Sequence, residues 1–202
     1  MAISYKVLSF EKKTLLLIAI SSVVRLIITS NLELGNAEVY YWAYSLHLQW
    51  NYFDHPPMVA WLIRLTTANL FFHNEVFVRL GAVICAAIST WLIFKIGKVV
   101  NNLQTGWFAA LLYTCSIYGS IAAGASILPD SPQMVFWFSS ILLLIKISHS
   151  TEHDTRFNSF WCLFGIISGL CIMSKVHGIF LWFGIVLYVL FINRTWLRYP
   201  GI

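Results

Sequence analysis

Charge is what this sequence most lacks. Only 10% of its residues are charged and 59% are hydrophobic, with a mean hydropathy of +0.76. A soluble domain carries about 25% charged residues, so this chain has too little polar surface for a water-exposed fold. Metal-type cysteine spacing is missing too. Cys85, Cys115, Cys162 and Cys171 each sit inside an apolar run without a C-x-x-C pair. They read as small buried hydrophobes rather than ligands or disulfide partners. Nor is there a basic cluster. The net charge is +5, but the lysines and arginines are dispersed between apolar segments. That pattern reads as membrane topology, not nucleic-acid binding. No repeat, low-complexity tract or separate soluble domain interrupts the chain.

What is there is a series of apolar runs. At about 20 residues per span, the length allows roughly six. The expected fold class is an all-α integral membrane protein of about six transmembrane helices, with two interfacial helices in the first outer loop, residues 31–75. Residues 1–202 then form one transmembrane module. The spans fall near Thr14–Ile28, Val76–Val99, Thr105–Ala123, Pro132–Ile147, Asn158–Met173 and Ile179–Ile192. No small-x-small cleavage site follows the first, so it reads as an uncleaved helix rather than a signal peptide. Arg25, near its far end, either snorkels to the interface or pairs with a loop acid.

Polar chemistry concentrates between the first two spans. Residues 36–48 read as a short helix along the membrane surface, capped by Asn36, with Glu38, Tyr41, Trp42 and Ser45 on one face. Tyr40-Tyr41-Trp42 suits the interface. Asp54 reads as the cap of a second short helix, with Pro57 in its first turn and Arg64 further along. His73-Asn74-Glu75 breaks the chain before Arg79. Asp130 opens the fourth span, and Ser174-Lys175-Val176-His177-Gly178 interrupts the last apolar stretch.

With the N-terminus in the cytoplasm, the Lys95–Gln104 turn and the His149–Phe157 linker also face inward. The inner side then holds nine basic and three acidic residues, and the outer side four basic and five acidic. The positive-inside rule favours this orientation. It gathers Glu33, Glu38, Asp54, Glu75, Asp130 and Lys175 on one outer face. A transporter would instead place its polar residues near the midplane.

The ordered motifs resemble the type C superfamily of membrane glycosyltransferases, which use polyprenyl-phosphate sugars. Protein O-mannosyltransferases and lipid A aminoarabinose transferases belong to it. The D-E-x-Y-Y-W signature corresponds to Ala37-Glu38-Val39-Tyr40-Tyr41-Trp42, and Y-F-D-H-P-P is Tyr52 to Pro57. An acid-x-x-x-R element spans Glu75 to Arg79, a P-D-x-P loop Pro129 to Pro132, and a Ser-Lys break follows at Ser174-Lys175. The resemblance implies sugar transfer from a polyprenyl-phosphate lipid to an acceptor protein, glycan or lipid, outside a cell membrane of the bacterial inner-membrane kind. Two departures stand out. Ala37 replaces the first acid of the signature, and the chain is shorter than family members usually are. A missing C-terminal half or a partner subunit is one expectation from the second.

Sugar transfer needs a base for the acceptor proton and positive charge for the leaving phosphate. Glu38 and Asp130 are the catalytic candidates. Lys175 is the candidate for the donor phosphate, with Arg79 and Arg64 as further candidates, or else ion-paired to Glu75 or another loop acid. Tyr40, Tyr41, Asp54 and His55 are candidates for lining the sugar or acceptor side. A divalent cation is a possible cofactor, with Glu75 as a ligand, although no metal-type spacing supports it. The other functional class is a non-catalytic subunit that binds, flips or helps assemble the lipid-linked sugar. Ala37 and the short chain favour that class.

Overall fold

The protein is described by a computed structural model covering residues 8–72, 74–149 and 157–194. Expectations for Lys6, His73, most of the His149–Phe157 linker and the chain end beyond Arg194 lie outside the described residues. Among the described residues the fold is all helical. Helix α1 is Phe10–Ser30, α2 Asn36–Leu46, α3 Met58–Thr66, α4 Glu75–Val100, α5 Leu103–Cys115, α6 Asp130–His149, α7 Phe157–Ser174 and α8 Phe180–Phe191. A π-helical turn, Tyr118–Ala122, follows α5, and a 3₁₀ turn, Val176–Ile179, precedes α8.

Four helices, α1, α4, α6 and α7, are long and apolar enough to cross a membrane. They make this a multi-pass membrane protein. The expected third and sixth spans are shorter than their apolar runs. Helices α5 and α8 have 13 and 12 residues, roughly 20 and 18 Å against a hydrocarbon core of about 30 Å. Ser116 ends α5. Its backbone is extended at φ −68°, ψ 147°. Its hydroxyl donates to Tyr113 O (2.7 Å) and accepts from Gly119 N (3.0 Å). A short polar side chain thus competes for the backbone groups that would continue the helix. At the start of α8, Lys175 is extended and breaks the run.

Two caps differ from expectation. Gly35, not Asn36, occupies the cap of α2, and the Glu38 carboxylate accepts its N–H (2.9 Å). Asp54 does not cap α3, because Pro57 stands at that position. The cysteines also divide. Cys85 and Cys171 are buried, while Cys115 and Cys162 are exposed. Exposure of apolar groups is ordinary on a flank that faces lipid. Leu15, Ile20, Val24 and Ile27 of α1 are likewise all exposed.

Helices α4 and α5 form the tightest hairpin. Asn102 caps α5 through Thr105 N (2.9 Å). The Thr90 and Thr114 hydroxyls lie 3.2 Å apart across the interface. Gly97 and Gly106 let the backbones meet, since a Cβ on Gly106 would lie 2.5 Å from Phe94 O. Close approach through small residues is how helices associate in lipid, where burial alone gives little drive. Gly106→Leu should therefore cost about 1–3 kcal/mol, the usual range for overpacking. Gly165→Leu is the control, because a Cβ there meets nothing within 4 Å. Thermal unfolding in detergent measures both, and equal loss in the two variants would contradict the tight crossing.

Candidate active site

The motif residues converge at one end of the bundle, where α1 and α7 stop and α4 and α6 begin. At its centre is a buried ion pair. Arg79 donates from Nε to Glu38 Oε1 (2.8 Å) and from Nη2 to Glu38 Oε2 (2.6 Å), and each residue is 5% exposed. The remaining guanidinium hydrogens go to Thr29 O (3.2 Å), Leu32 O (2.6 Å) and Glu33 O (2.8 Å). Arg79 thereby uses all five of its donors and satisfies one carbonyl in the last turn of α1 and two just beyond its end. Glu38 also accepts from Gly35 N (2.9 Å) and Ile127 N (3.0 Å). The Ile127 bond ties the start of α2 to the loop leading into α6. Burial pushes the Glu38 carboxyl up, but Arg79 and the Gly35 and Ile127 N–H groups outweigh it and hold the group below its ordinary range.

Beside this pair lies an aromatic cluster. Tyr40 Oη donates to Asp54 Oδ1 (2.9 Å), Tyr44 Oη reaches the same oxygen, and Tyr44 stacks on Tyr52 at 4.0 Å. Tyr41 Oη and His55 Nε2 are 3.1 Å apart. His55 Nδ1 lies 3.1 Å from Asp54 Oδ1 but makes no well-formed hydrogen bond. The Tyr44 hydroxyl, then His55 and Tyr40, hold the exposed Asp54 carboxyl at about 2. Burial raises the Tyr41 hydroxyl, and the Asp54 and Asp130 carboxylates raise it further. Tyr41 thus stands within electrostatic reach of both acids.

Asp130 forms the second ion pair. Lys175 Nζ donates to its Oδ1 (2.9 Å) and Oδ2 (3.0 Å), and Tyr118 Oη to Oδ1 (2.7 Å). The side chains are 28% and 14% exposed for Lys175 and Asp130, far more open than the Glu38–Arg79 pair. Lys175 is presented by the break between α7 and α8. The break can turn tightly because Gly178 has no side chain. A Cβ there would fall 2.7 Å from Ile172 N. An apolar groove of about 370 Å³ runs between α6 and α8, lined by Trp137, Ile141, Leu144, Phe180, Leu181 and Tyr188 among others. Helix α6 begins at Asp130, and α8 follows Lys175 after the 3₁₀ turn.

Arg64 and Arg25 take partners that differ from the sequence expectations, and Arg79 takes one of the two kinds expected. Arg64 donates to Asn69 Oδ1 (2.6 Å) and to Ser45 O (2.7 Å) and Leu46 O (3.4 Å), the last carbonyls of α2. It therefore clamps α2 to the turn after α3, where Ala68, Asn69 and Leu70 all have positive φ. Arg79 pairs with a loop acid, but with Glu38 rather than the exposed Glu75. Arg25 neither snorkels nor meets an acid. It bonds Ser21 Oγ (3.1 Å), Gly119 O (3.2 Å) and, at 3.5 Å, Ser120 O. These carbonyls are freed by the π-helical turn, which periodicity in an unbroken apolar run could not reveal. Among the described residues no three His, Cys, Asp or Glu side chains converge as metal ligands.

The buried pair makes a stability prediction. Glu38→Gln leaves Arg79 uncompensated and should cost about 3–5 kcal/mol. Glu38→Gln with Arg79→Met should cost less than the sum of the single variants by more than about 1 kcal/mol. Because the folded carboxyl sits below its unfolded value of about 4.3, its contribution is complete above that pH and is lost as pH falls through the folded value. Chemical unfolding of all four forms between pH 7 and 3 measures this. Additive losses would contradict the coupling.

No curated protein and no solved structure matches the chain. A family profile described as dolichyl-phosphate-mannose-protein mannosyltransferase matches residues 54–202, well over half of the sequence. The match takes in Asp54, His55, Arg79, Asp130 and Lys175 and leaves the Ala37–Trp42 stretch outside. This chain belongs to the dolichyl-phosphate-mannose-protein mannosyltransferase family, and is a membrane protein of the glycosyltransferase class.

Proposed function

We propose that the chain transfers a sugar from a polyprenyl-phosphate donor to an acceptor hydroxyl at the outer face of a cell membrane, its N-terminus lying in the cytoplasm. The supporting observation is the half-open Lys175–Asp130 pair, beyond which an apolar groove opens between α6 and α8 from Trp137 and Phe180 onward. Lys175 takes the donor phosphate in place of Asp130, and the polyprenyl tail follows the groove. Asp130, released, accepts the acceptor's proton as the acceptor oxygen bonds to the anomeric carbon. The bond from that carbon to the phosphate oxygen breaks, and its electron pair stays on the phosphate beside Lys175.

Asp54, kept ionised, accepts hydrogen bonds from the sugar or acceptor, with Tyr40, Tyr41 and His55 forming the wall. Glu38 takes a positioning role rather than the acid/base role expected from the sequence. Its four accepted bonds leave it no lone pair free for a proton. Arg79, with every donor occupied, holds backbone and Glu38 rather than phosphate, and Arg64 holds α2 to the turn after α3.

A second reading keeps the site without the chemistry. Ala37 is exposed on α2 where the family signature has its first acid, so a carrier-binding subunit would keep Lys175 and dispense with turnover.

One pair of variants tests both readings. Lys175→Ala should weaken carrier-lipid binding by about 10-fold or more, since a charge-assisted bond contributes about 1.5–3 kcal/mol. Asp130→Asn removes the competing carboxylate and should leave binding equal or tighter. Native mass spectrometry with a polyprenyl phosphate reads this. Undiminished binding in Lys175→Ala sinks the donor site, while normal binding by a parent that never turns over selects the second reading.

A further inference from the structure

A second groove, of about 500 Å³, opens between α1 and the π-helical turn after α5. It exists because α5 stops at Cys115, leaving the far half of α1 without a full-length helix beside it. Leu17, Ile20, Val24, Ile28 and Ile121 give it an apolar wall. Ile20, Val24 and Ile121 are 56%, 48% and 55% exposed, so the groove is open along its flank.

Two arginines, Arg79 and Arg25, line it, and they differ in one respect. Arg79 has every donor occupied and a carboxylate partner. Arg25, 4% exposed, has three acceptors for five donors, all of them neutral. Among the described residues no carboxylate lies within ion-pair distance of it. A buried guanidinium in an apolar span, with neither counter-ion nor full hydrogen bonding, calls for an anion. Arginine's fork suits phosphate oxygens.

We propose that this groove binds an anionic glycerophospholipid, its phosphate on the spare N–H groups of Arg25 and one acyl chain along Ile20, Val24 and Ile121. The volume falls within the range of small-molecule sites, and the open flank admits the lipid from the bilayer. The site is separate from the Lys175–Asp130 pair and does not depend on the proposed reaction.

The test is native mass spectrometry of the full chain with phosphatidylglycerol or phosphatidylcholine of identical chains. The parent should retain phosphatidylglycerol in preference, and Arg25→Gln should lose that preference by about fivefold or more, as removal of one basic contact implies. Ile121→Trp, which fills the groove and keeps Arg25, should lower retention as well and carries the test if Arg25→Gln fails to fold. Leu187→Trp, an exposed change on α8 outside both grooves, should retain the lipid as the parent does. Unchanged retention in the groove variants, or equal loss in Leu187→Trp, overturns the proposal. Displacement by millimolar inorganic phosphate also overturns it, pointing to a free anion instead of a lipid.

Discussion

Everything at the functional end of this protein hangs on one ion pair from which neither member has a spare bond. Arg79 gives five hydrogens to Glu38 and to carbonyls where α1 ends, and Glu38 accepts two further bonds, from Gly35 N and Ile127 N. A charge removed from water is tolerable only when its partner and its remaining donors are supplied. Here that requirement brings together α1, α2, α4 and the loop before α6. Asp130 stands three residues beyond Ile127, so the pair sets where that acid can be.

The four basic residues at this end differ in how firmly each is engaged. Arg79 is closed. Arg64 caps α2 and braces a turn with three consecutive left-handed residues, a conformation that costs about 1–3 kcal/mol for each such residue. Arg25 is half-satisfied by neutral carbonyls. Lys175 alone combines an acid partner with partial exposure. Exchange of partners is cheapest there, because water already reaches both groups and the incoming phosphate replaces one anion by another. Rigid support and an exchangeable pair are thus built from the same few residue types, separated by burial.

Much of this was legible in the sequence. Of the six spans read from apolar runs, four are helices long enough to cross a membrane, the short helix read over residues 36–48 is present as Asn36–Leu46, and the break at Lys175 was visible because a lone ammonium interrupts a greasy stretch. The Asp130–Lys175 pairing could be anticipated, since both residues fall at span boundaries on one side. Other features were out of reach. The run through Tyr113–Ala123 stays apolar across Ser116, so its hydropathy hides the helix end and the carbonyls that Arg25 meets. Glu38 and Arg79 are far apart in sequence, and the nearer Glu75 looked an equally good partner. Asp54 looked like a cap because a carboxylate before two prolines usually is one, yet tertiary contact with Tyr40 and Tyr44 claims it.

The most direct test of the account separates holding from chemistry. Turnover per folded molecule, with folded protein quantified independently, is measured for Glu38→Gln and Asp130→Asn using a lipid-linked sugar. The account predicts that Asp130→Asn lowers the rate by about 10²-fold or more, a typical general-base contribution. Folded Glu38→Gln should stay within about tenfold of the parent. A well-folded Glu38→Gln that is inactive beside an active Asp130→Asn would contradict it and return the base to α2.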